Sequence, residues 1–148
     1  MNAPQLRQAA PSDLPTVERL LAAAELPTDD VAKHLHDFII AESEGEVVGA
    51  IGFEVYADAA LLRSAVVAPV WQGRGVGRAL VERLVGEAAA REIDALFLLT
   101  STAHRYFASF GFEPVRREDI PTLVKTSVEF RGACPESAMA MRLNLRAE

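Results

Sequence analysis

The fold is decided by the stretch Ala65-Val66-Val67-Ala68-Pro69-Val70-Trp71-Gln72-Gly73-Arg74-Gly75-Val76-Gly77-Arg78-Ala79-Leu80. Its pattern predicts a strand, an exit marked by a proline, a glycine-rich turn, and then a helix that begins at about Gly75. The unbroken apolar run at residues 95–99 follows that helix and is typical of a central strand covered on both faces. Strand, crossover helix and strand make a βαβ unit, in which the two strands run parallel and the connection is right-handed.

The glycine-rich turn is suited to binding phosphate. Its three glycines, at positions 73, 75 and 77, remove Cβ atoms where the backbone turns, so main-chain N–H groups can approach another molecule closely. The following helix adds unpaired amides and the positive end of its dipole, and Arg74 and Arg78 add fixed positive charge. Ligands of a βαβ unit bind beyond the carboxyl ends of its strands, which is where this turn lies.

Two common phosphate motifs do not fit the turn. A P-loop ends in Gly-Lys-Ser/Thr, whereas Gly77 is followed by Arg78 and Ala79. A dinucleotide-binding turn needs a third glycine three residues after its second, where this sequence has Arg78. That motif also follows the first strand of its domain, and here the turn lies in mid-chain. The alternatives that remain are another phosphate ligand and a connection with only a packing role.

The composition is that of a folded chain with an acidic balance. The 148 residues suit one domain, and the net charge of −6 with a pI near 5.1 argues against non-specific nucleic-acid binding. An anionic ligand therefore needs a local basic patch, which Arg74, Arg78 and Arg105 could supply.

No feature of the sequence points to a metal, a disulfide or a membrane. Cys134 is the only cysteine, which excludes an intrachain disulfide and a cysteine-based metal cluster. His34 and His36 have no evident third ligand, so we expect no metal. Residues 1–11 lack an apolar signal core, and no apolar run is long enough to cross a bilayer. We therefore expect a cytoplasmic protein.

The rest of the pattern predicts strands and helices around the βαβ unit. A turn at residues 44–46 joins two strands into a hairpin, and Ser12 and Asp13 are expected to cap a helix. The other predicted elements are strands at 5–8, 38–41, 47–56, 61–67, 112–115 and 138–143, helical segments at 31–36, 75–91 and 102–110, a connection at 57–60, and a covering loop at 116–132. We expect one domain over residues 1–148, of the mixed α/β class.

The motif Gln72-x-x-Gly75-x-Gly77, behind a strand that ends in Val-Val-x-Pro, resembles the pyrophosphate loop of the GNAT superfamily of N-acetyltransferases. The resemblance extends over nearly the whole chain. More narrowly, the strings at 62–64, 98–100 and 134–138 resemble the arsenic-resistance N-acetyltransferases. That group is similar to the acetyltransferase module of N-acetylglutamate synthase.

The resemblance implies a central mixed sheet with a splayed pair of parallel strands, flanking helices, and acetyl-CoA as the cosubstrate. The main chain of the strand is expected to pair with the pantetheine arm, and the turn is expected to bind the pyrophosphate. The implied cofactor-binding residues are Ala65, Val66, Val67, Gln72, Gly73, Arg74, Gly75, Val76, Gly77 and Arg78.

The implied chemistry is direct acetyl transfer from the thioester to an amine. A main-chain N–H of the strand could stabilise the oxyanion, and we assign the general base to Glu54, acting through water, with an exposed structural glutamate as the alternative. Many relatives place a general-acid tyrosine where this sequence has Phe107. Tyr106 lies on a different side of the helix, so it is assigned either to catalysis or to packing. A thiol with a pKa of about 8.5 can also leave without an acid.

The implied acceptor is a small amino-acid-like amine, with glutamate-like or arsinothricin-like compounds suggested by the narrower resemblance. Arg63 could bind the acceptor's carboxylate through two hydrogen bonds, or it could form an internal ion pair with Glu54 or face water at a sheet edge. Ser64, Thr100 and Thr102 could add hydroxyl contacts, although Thr102 is also suited to capping the next helix.

The function predicted from the sequence is that of an acetyl-CoA-dependent N-acetyltransferase. The alternatives are acetylation of protein amines, a non-catalytic CoA-binding or sensor module, and nucleotide phosphate binding. A homodimer through the last strands is suggested by analogy with the family alone.

Overall fold

The computed structural model describes residues 3–134 and 137–146. It contains seven strands, β1 (Gln5–Gln8), β2 (Phe38–Ser43), β3 (Glu46–Tyr56), β4 (Ala59–Val67), β5 (Ala95–Thr100), β6 (Glu113–Pro114) and β7 (Met139–Asn144). Its α-helices are α1 (Leu14–Ala23), α2 (Val31–His34), α3 (Val76–Ala90) and α4 (His104–Ala108). Among these residues, no helix has both the length and the apolar character that a membrane span requires.

The strands form one mixed sheet in the order β1-β2-β3-β4-β5-β7-β6. Strands β4 and β5 are parallel, and the pairs β1–β2, β2–β3, β5–β7 and β6–β7 are antiparallel. This confirms the predicted mixed α/β class and the predicted parallel pair. The parallel register covers Ala59–Leu61 against Ala95–Phe97, while β4 continues to Val67 and β5 to Thr100.

The chain divides into two compact units, and the strands β3 and β4 contribute to both. The first unit combines Met1–Phe53 with Ser64–Gly86, and the second combines Glu54–Arg63 with Glu87–Glu148. The prediction of a single domain stays a prediction.

The first unit is built on the hairpin of β2 and β3. Glu44 and Gly45 turn the chain with φ values of 51° and 80°, the left-handed pair that two-residue hairpins favour. Gly52 lies opposite Phe38, and a Cβ on this glycine would stand 2.2 Å from the Phe38 ring. The ring therefore fills the space that a side chain at position 52 would need.

Helices α1 and α2 contribute to the core of this unit because their apolar residues recur at helical spacing. Val17 and Leu21 of α1 are fully buried, and Leu14 and Leu20 pack against the same cluster, whereas Ala24 is exposed. The cluster comprises Val17, Leu21, Val31, Leu35, Phe38, Ile40, Ala50 and Val66.

The second unit has its core between the parallel pair and the segment that follows β6. Ile120, Val124 and the partly buried Phe130 come from that segment, which we call the covering segment (residues 116–134). It contains short helical turns at Arg117–Asp119, Val124–Thr126 and Glu129–Ala133. Their partners are Ala59 and Leu61 of β4, Phe97 of β5 and Ala140 of β7.

Two predicted boundaries and one predicted helix cap were wrong. Strand β4 begins at Ala59 because the hairpin turn needs only Ala57, at φ 58°, and Asp58, so the next two alanines are buried in the strand. Helix α4 is shorter than predicted and ends before Gly111, at φ 98°. Asp13 does not cap α1 with its side chain; its carboxylate instead accepts a 2.7 Å hydrogen bond from the Ala10 N–H.

Asp13 belongs to an ionic network that ties the first strand to its neighbours. The Arg7 guanidinium donates two hydrogen bonds to Asp13, of 2.8 and 2.9 Å, and further ones to Glu42 of β2. The hydrogen bonds from Arg7 hold the pKa of the Asp13 carboxyl below its usual range. A carboxyl with a lowered pKa in the folded state stabilises the fold above its unfolded pKa and loses that effect as the pH falls.

We predict that Asp13→Asn lowers the free energy of unfolding at pH 7 by about 1–2 kcal/mol, the scale of a charge-assisted hydrogen bond. Urea unfolding at pH 7 and near pH 3 measures the effect. The difference from the wild type should begin to shrink below about pH 4, where the carboxyl of the unfolded chain is protonated, and should vanish only when the folded carboxyl, with its lower pKa, is protonated as well. The exposed Asp29→Asn is the matched control, and an equal loss in both variants would contradict the assignment.

Candidate functional site

The glycine loop of the first unit leaves the sheet at the end of β4. The Ala68 N–H donates to Val48 O at 2.8 Å, and a short helical turn, Pro69–Trp71, carries the chain away from the strand. Trp71 and Val76 are buried on either side of the loop, at 8% and 3% exposure. The loop is therefore held at both ends by apolar side chains while its centre stays exposed.

In the centre of the loop the main chain is exposed, with no protein side chain packed against it at the two glycines. Gly73 and Gly75 adopt φ values of 78° and 85°, and a Cβ on either would meet no atom within 4 Å. These glycines are thus required by backbone conformation and not by crowding within the protein. Helix α3 begins at Val76, so its first N–H groups follow the loop directly.

Two polar side chains of the loop donate hydrogen bonds to the main chain that precedes it. Gln72 Nε2 donates to Val67 O at 3.0 Å, and Arg74 Nε donates to Val70 O at 3.1 Å. The Arg74 guanidinium also lies over the Trp71 ring, 5.7 Å from its centre. Arg78 is exposed and lies 3.9 Å from Glu82. The predicted residues 72–78 thus form an exposed loop, 72–75, followed by the first turn of helix α3, and Arg74 and Arg78 are the basic residues of this stretch.

The strand before the loop has one residue with left-handed backbone, Ser64. This residue has a φ of 61°, which costs a non-glycine residue about 1–2 kcal/mol. After Ser64, the side chain of Val66 is buried in the core, whereas Ala65 and Val67 are half-buried. The main-chain oxygen of Val66 would lie 3.1 Å from a Cβ at position 49, where the chain has glycine. The Val66 side chain is therefore part of the core, and its main-chain oxygen lies beside Gly49 of β3.

A buried charged cluster lies on the β3–β4 hairpin of the second unit. Arg63 Nη1 and Glu54 Oε2 are 2.8 Å apart, and the two residues are 2% and 1% exposed. The Tyr56 hydroxyl donates a short hydrogen bond to Glu54 Oε1. This is the internal ion pair that the sequence left open as an alternative for Arg63.

The covering segment supplies a second carboxylate to the same guanidinium. Glu129 Oε2 lies 3.6 Å from Arg63 Nε, and Glu129 is 5% exposed. The Glu129 N–H donates to Ser127 Oγ at 3.2 Å, and the Ser127 hydroxyl also hydrogen-bonds with Tyr56. We call these five residues, Glu54, Tyr56, Arg63, Ser127 and Glu129, the Arg63 cluster.

Three members of the Arg63 cluster were not predicted from the sequence. Tyr56 had a usable signal, since it lies two residues from Glu54 on one strand and so shares its face. Ser127 and Glu129 belong to an irregular segment in which no periodicity indicates direction. Burial raises the pKa of the Tyr56 hydroxyl, and its hydrogen bond to Glu54 adds to the rise, so the phenol is protonated at neutral pH.

The cluster bears on the role assigned to Glu54. Both oxygens of the Glu54 carboxylate already accept hydrogen bonds within the protein, one from the Tyr56 hydroxyl and one from the Arg63 guanidinium. This geometry favours a positioning role beside Arg63. The assignment as general base stays a prediction.

The other predicted site residues of this unit surround α4. Thr100 Oγ1 accepts a 2.9 Å hydrogen bond from the Ala103 N–H, so Thr100, and not the exposed Thr102, holds the chain at the start of the helix. Tyr106 is 42% exposed and stacks edge to face on Phe107 and Phe110. Phe107 is buried against Phe112.

Comparisons with known proteins agree with these features. Residues 34–114 match the family model of the acetyltransferase (GNAT) domain. The chain is 28% identical to an uncharacterized N-acetyltransferase of Chlorobaculum tepidum, over 78% of this chain and 76% of the relative. It is 29% identical to an amino-acid acetyltransferase of Mycobacterium tuberculosis, over 76% and 70%. With the amino-acid acetyltransferase of Neisseria meningitidis it shares 25% identity and spans only 29% of that protein's length.

Solved structures have the same fold. A Mycobacterium tuberculosis protein in complex with CoA superposes with a TM-score of 0.80 at 22% identity, covering 97% of this chain and all of that one. N-acetylglutamate synthase from Neisseria gonorrhoeae, complexed with coenzyme A and N-acetyl-glutamate, gives 0.85 at 22% identity, over 99% of this chain and 36% of that one. Because the family match covers more than half of the 148 residues and includes the whole glycine loop, the chain belongs to the GNAT acetyltransferase family.

Proposed function

We propose that this protein transfers the acetyl group of acetyl-CoA to the amine of a small, amino-acid-like acceptor. The observation that carries the proposal is the open loop at residues 72–75, with left-handed backbone at Gly73 and Gly75 and the N-terminus of helix α3 directly after it. Such a loop presents main-chain donors to an anion with no side chain between them. Membership in the GNAT family and the CoA complexes of similar folds support the same ligand.

The cofactor would be bound mainly by main chain. The amides from Gly73 to Arg78 would hold the pyrophosphate, with Gln72 at the entrance and Arg74 and Arg78 adding charge. The pantetheine arm would hydrogen-bond with the main chain of Ala65, Val66 and Val67, as an added strand does. The left-handed backbone at Ser64 supports this, since it interrupts the regular extended conformation of β4 just before these residues.

The acceptor would be recognised through its carboxylate by Arg63, with Ser64, Thr100 and Thr102 as candidate hydroxyl contacts. Glu54 supports this role because its Oε2 lies 2.8 Å from Arg63 Nη1. This contact fixes the orientation of the planar guanidinium, and so the directions in which its other N–H groups point. Relatives named as amino-acid acetyltransferases support an amino-acid acceptor, and the similar N-acetylglutamate synthase structure, complexed with N-acetyl-glutamate, makes a glutamate-like compound the first candidate. Arsinothricin, a compound of the same amino-acid class, is the candidate that the arsenic-resistance resemblance adds.

The reaction would be direct transfer within a ternary complex. The neutral amine nitrogen bonds to the acetyl carbon, the carbon–sulfur bond breaks, and CoA leaves as the thiolate. The amine's proton passes to solvent or, through water, to Glu54. No acid is required at sulfur, since a thiol of pKa about 8.5 is a tolerable leaving group.

We predict that Gly75→Ala weakens CoA binding at least tenfold in titration calorimetry. The new Cβ strains the left-handed backbone and stands where the ligand would approach. The matched control is Gly86→Ala, at an exposed helical position whose Cβ also meets open space, and its CoA affinity should be unchanged. Equal affinity of both variants, or no affinity of the wild type for CoA, would refute the cofactor assignment.

Thiol release from acetyl-CoA, measured against a panel of amino acids, tests the function itself. We expect turnover that depends on a carboxylate-bearing acceptor. Binding of CoA without turnover on any amine would instead identify a non-catalytic CoA-binding module. Turnover on peptide amines alone would identify a protein acetyltransferase.

A Glu54→Gln variant separates the two roles of this carboxylate. We expect the KM for the acceptor to rise about tenfold with kcat changed less than threefold, because the amide fixes the Arg63 guanidinium less firmly. The pH dependence of kcat should be unchanged. A hundredfold fall in kcat, with loss of the rate's dependence on a basic group, would establish Glu54 as the general base.

Tyr106→Phe tests the remaining catalytic assignment. Because the ring is exposed and stacks on Phe107 and Phe110, we expect kcat within threefold of the wild type. A larger fall in kcat, greater for acetyl-CoA than for a donor with a more acidic thiol, would show that the Tyr106 hydroxyl protonates the leaving group.

A further inference from the structure

We infer that Glu129 occupies the place of the acceptor's carboxylate on Arg63, and that it sets the selectivity of the site by competing with that carboxylate. The inference rests on the proposed function, in which Arg63 binds the acceptor. It adds a residue of the covering segment that competes with the ligand.

The two carboxylates on Arg63 are not equivalent. Glu54 makes a hydrogen-bonded ion pair of 2.8 Å with Nη1, whereas Glu129 stands 3.6 Å from Nε, beyond good hydrogen-bond distance. Two carboxylates around one guanidinium also repel each other. Of the two ion pairs that Arg63 makes with these carboxylates, the one with Glu129 is therefore the weaker, and it lies on the Nε side of the guanidinium, where a ligand carboxylate could bind.

Because the Arg63 guanidinium is buried, an acceptor carboxylate could reach it only by displacing the Glu129 carboxylate. The Arg63 side chain is fully buried, so no dissolved acceptor can reach it while its neighbours keep their places. The chain on both sides of Glu129 is nearer the surface, since Val128 and Phe130 are partly exposed and Arg131 and Gly132 are exposed. A rotation of the Glu129 side chain would release its carboxylate to water and clear that edge of Arg63.

The backbone around Glu129 is held by contacts of its neighbours. Its N–H is bound to Ser127 Oγ, and the neighbouring Phe130 packs in the core cluster beneath the guanidinium of Arg117. Arg117 in turn donates to Ala138 O at 3.0 Å. The covering segment can thus keep its position while Glu129 gives way to a carboxylate of similar charge and shape.

The test is the binding of L-glutamate to the CoA-saturated protein, measured by calorimetry so that it does not depend on turnover. Glu129→Gln removes the competing charge and keeps the shape, so we expect the Kd for L-glutamate to fall five- to tenfold. The diamide of glutamic acid, which has no carboxylate, should bind both proteins equally. Glu118→Gln makes the same change at an exposed position of the covering segment and should leave the Kd unchanged.

A weaker or unchanged affinity of Glu129→Gln for L-glutamate would overturn the inference, and a weaker one would indicate that Glu129 binds the acceptor's ammonium group. Absence of carboxylate-dependent binding in both proteins would overturn it as well. If glutamate binds as expected but no acetyl transfer occurs, the proposed activity fails and the competition stands. Thermal melting checks folding, and if Glu129→Gln is unfolded, Glu129→Asp, with its shorter reach, should show a smaller gain in affinity.

Discussion

The rest of the structure depends on one constraint, which lies on strand β4. The charged guanidinium of Arg63 is buried. Removing such a charge from water is expensive unless it is paired and hydrogen-bonded. Arg63 therefore requires Glu54 across the hairpin and draws Glu129 in from the covering segment. The same strand takes up left-handed backbone at Ser64 and ends at Val67, just before the glycine loop.

The sequence predicted the parts of the fold that local physics controls. Residues 65–80 revealed the strand, loop and helix because glycine, proline and apolar spacing each have one dominant structural effect. The start of β4 was misplaced because alanine prefers neither turn nor strand strongly. Only the short turn at Ala57 and Asp58 decides where the strand begins.

The candidate site was predictable only in part, for a related reason. Arg63 and Glu54 stood out as charges in apolar strands, and their pairing was one of the alternatives that the pattern allowed. Glu129 gave no such signal, because it lies in an irregular turn that contains Gly132 at φ 121° and has no repeating face. Its approach to Arg63 is a tertiary contact across 66 positions of chain, which periodicity does not encode.

The contact between Gly52 and Phe38 limits how this sequence can diverge. A ring that occupies the volume of an absent side chain links the two positions, since enlarging one without shrinking the other produces a collision in the first unit. Among homologous chains, a larger residue at position 52 should therefore accompany a smaller one at position 38. Neither position can change in size alone.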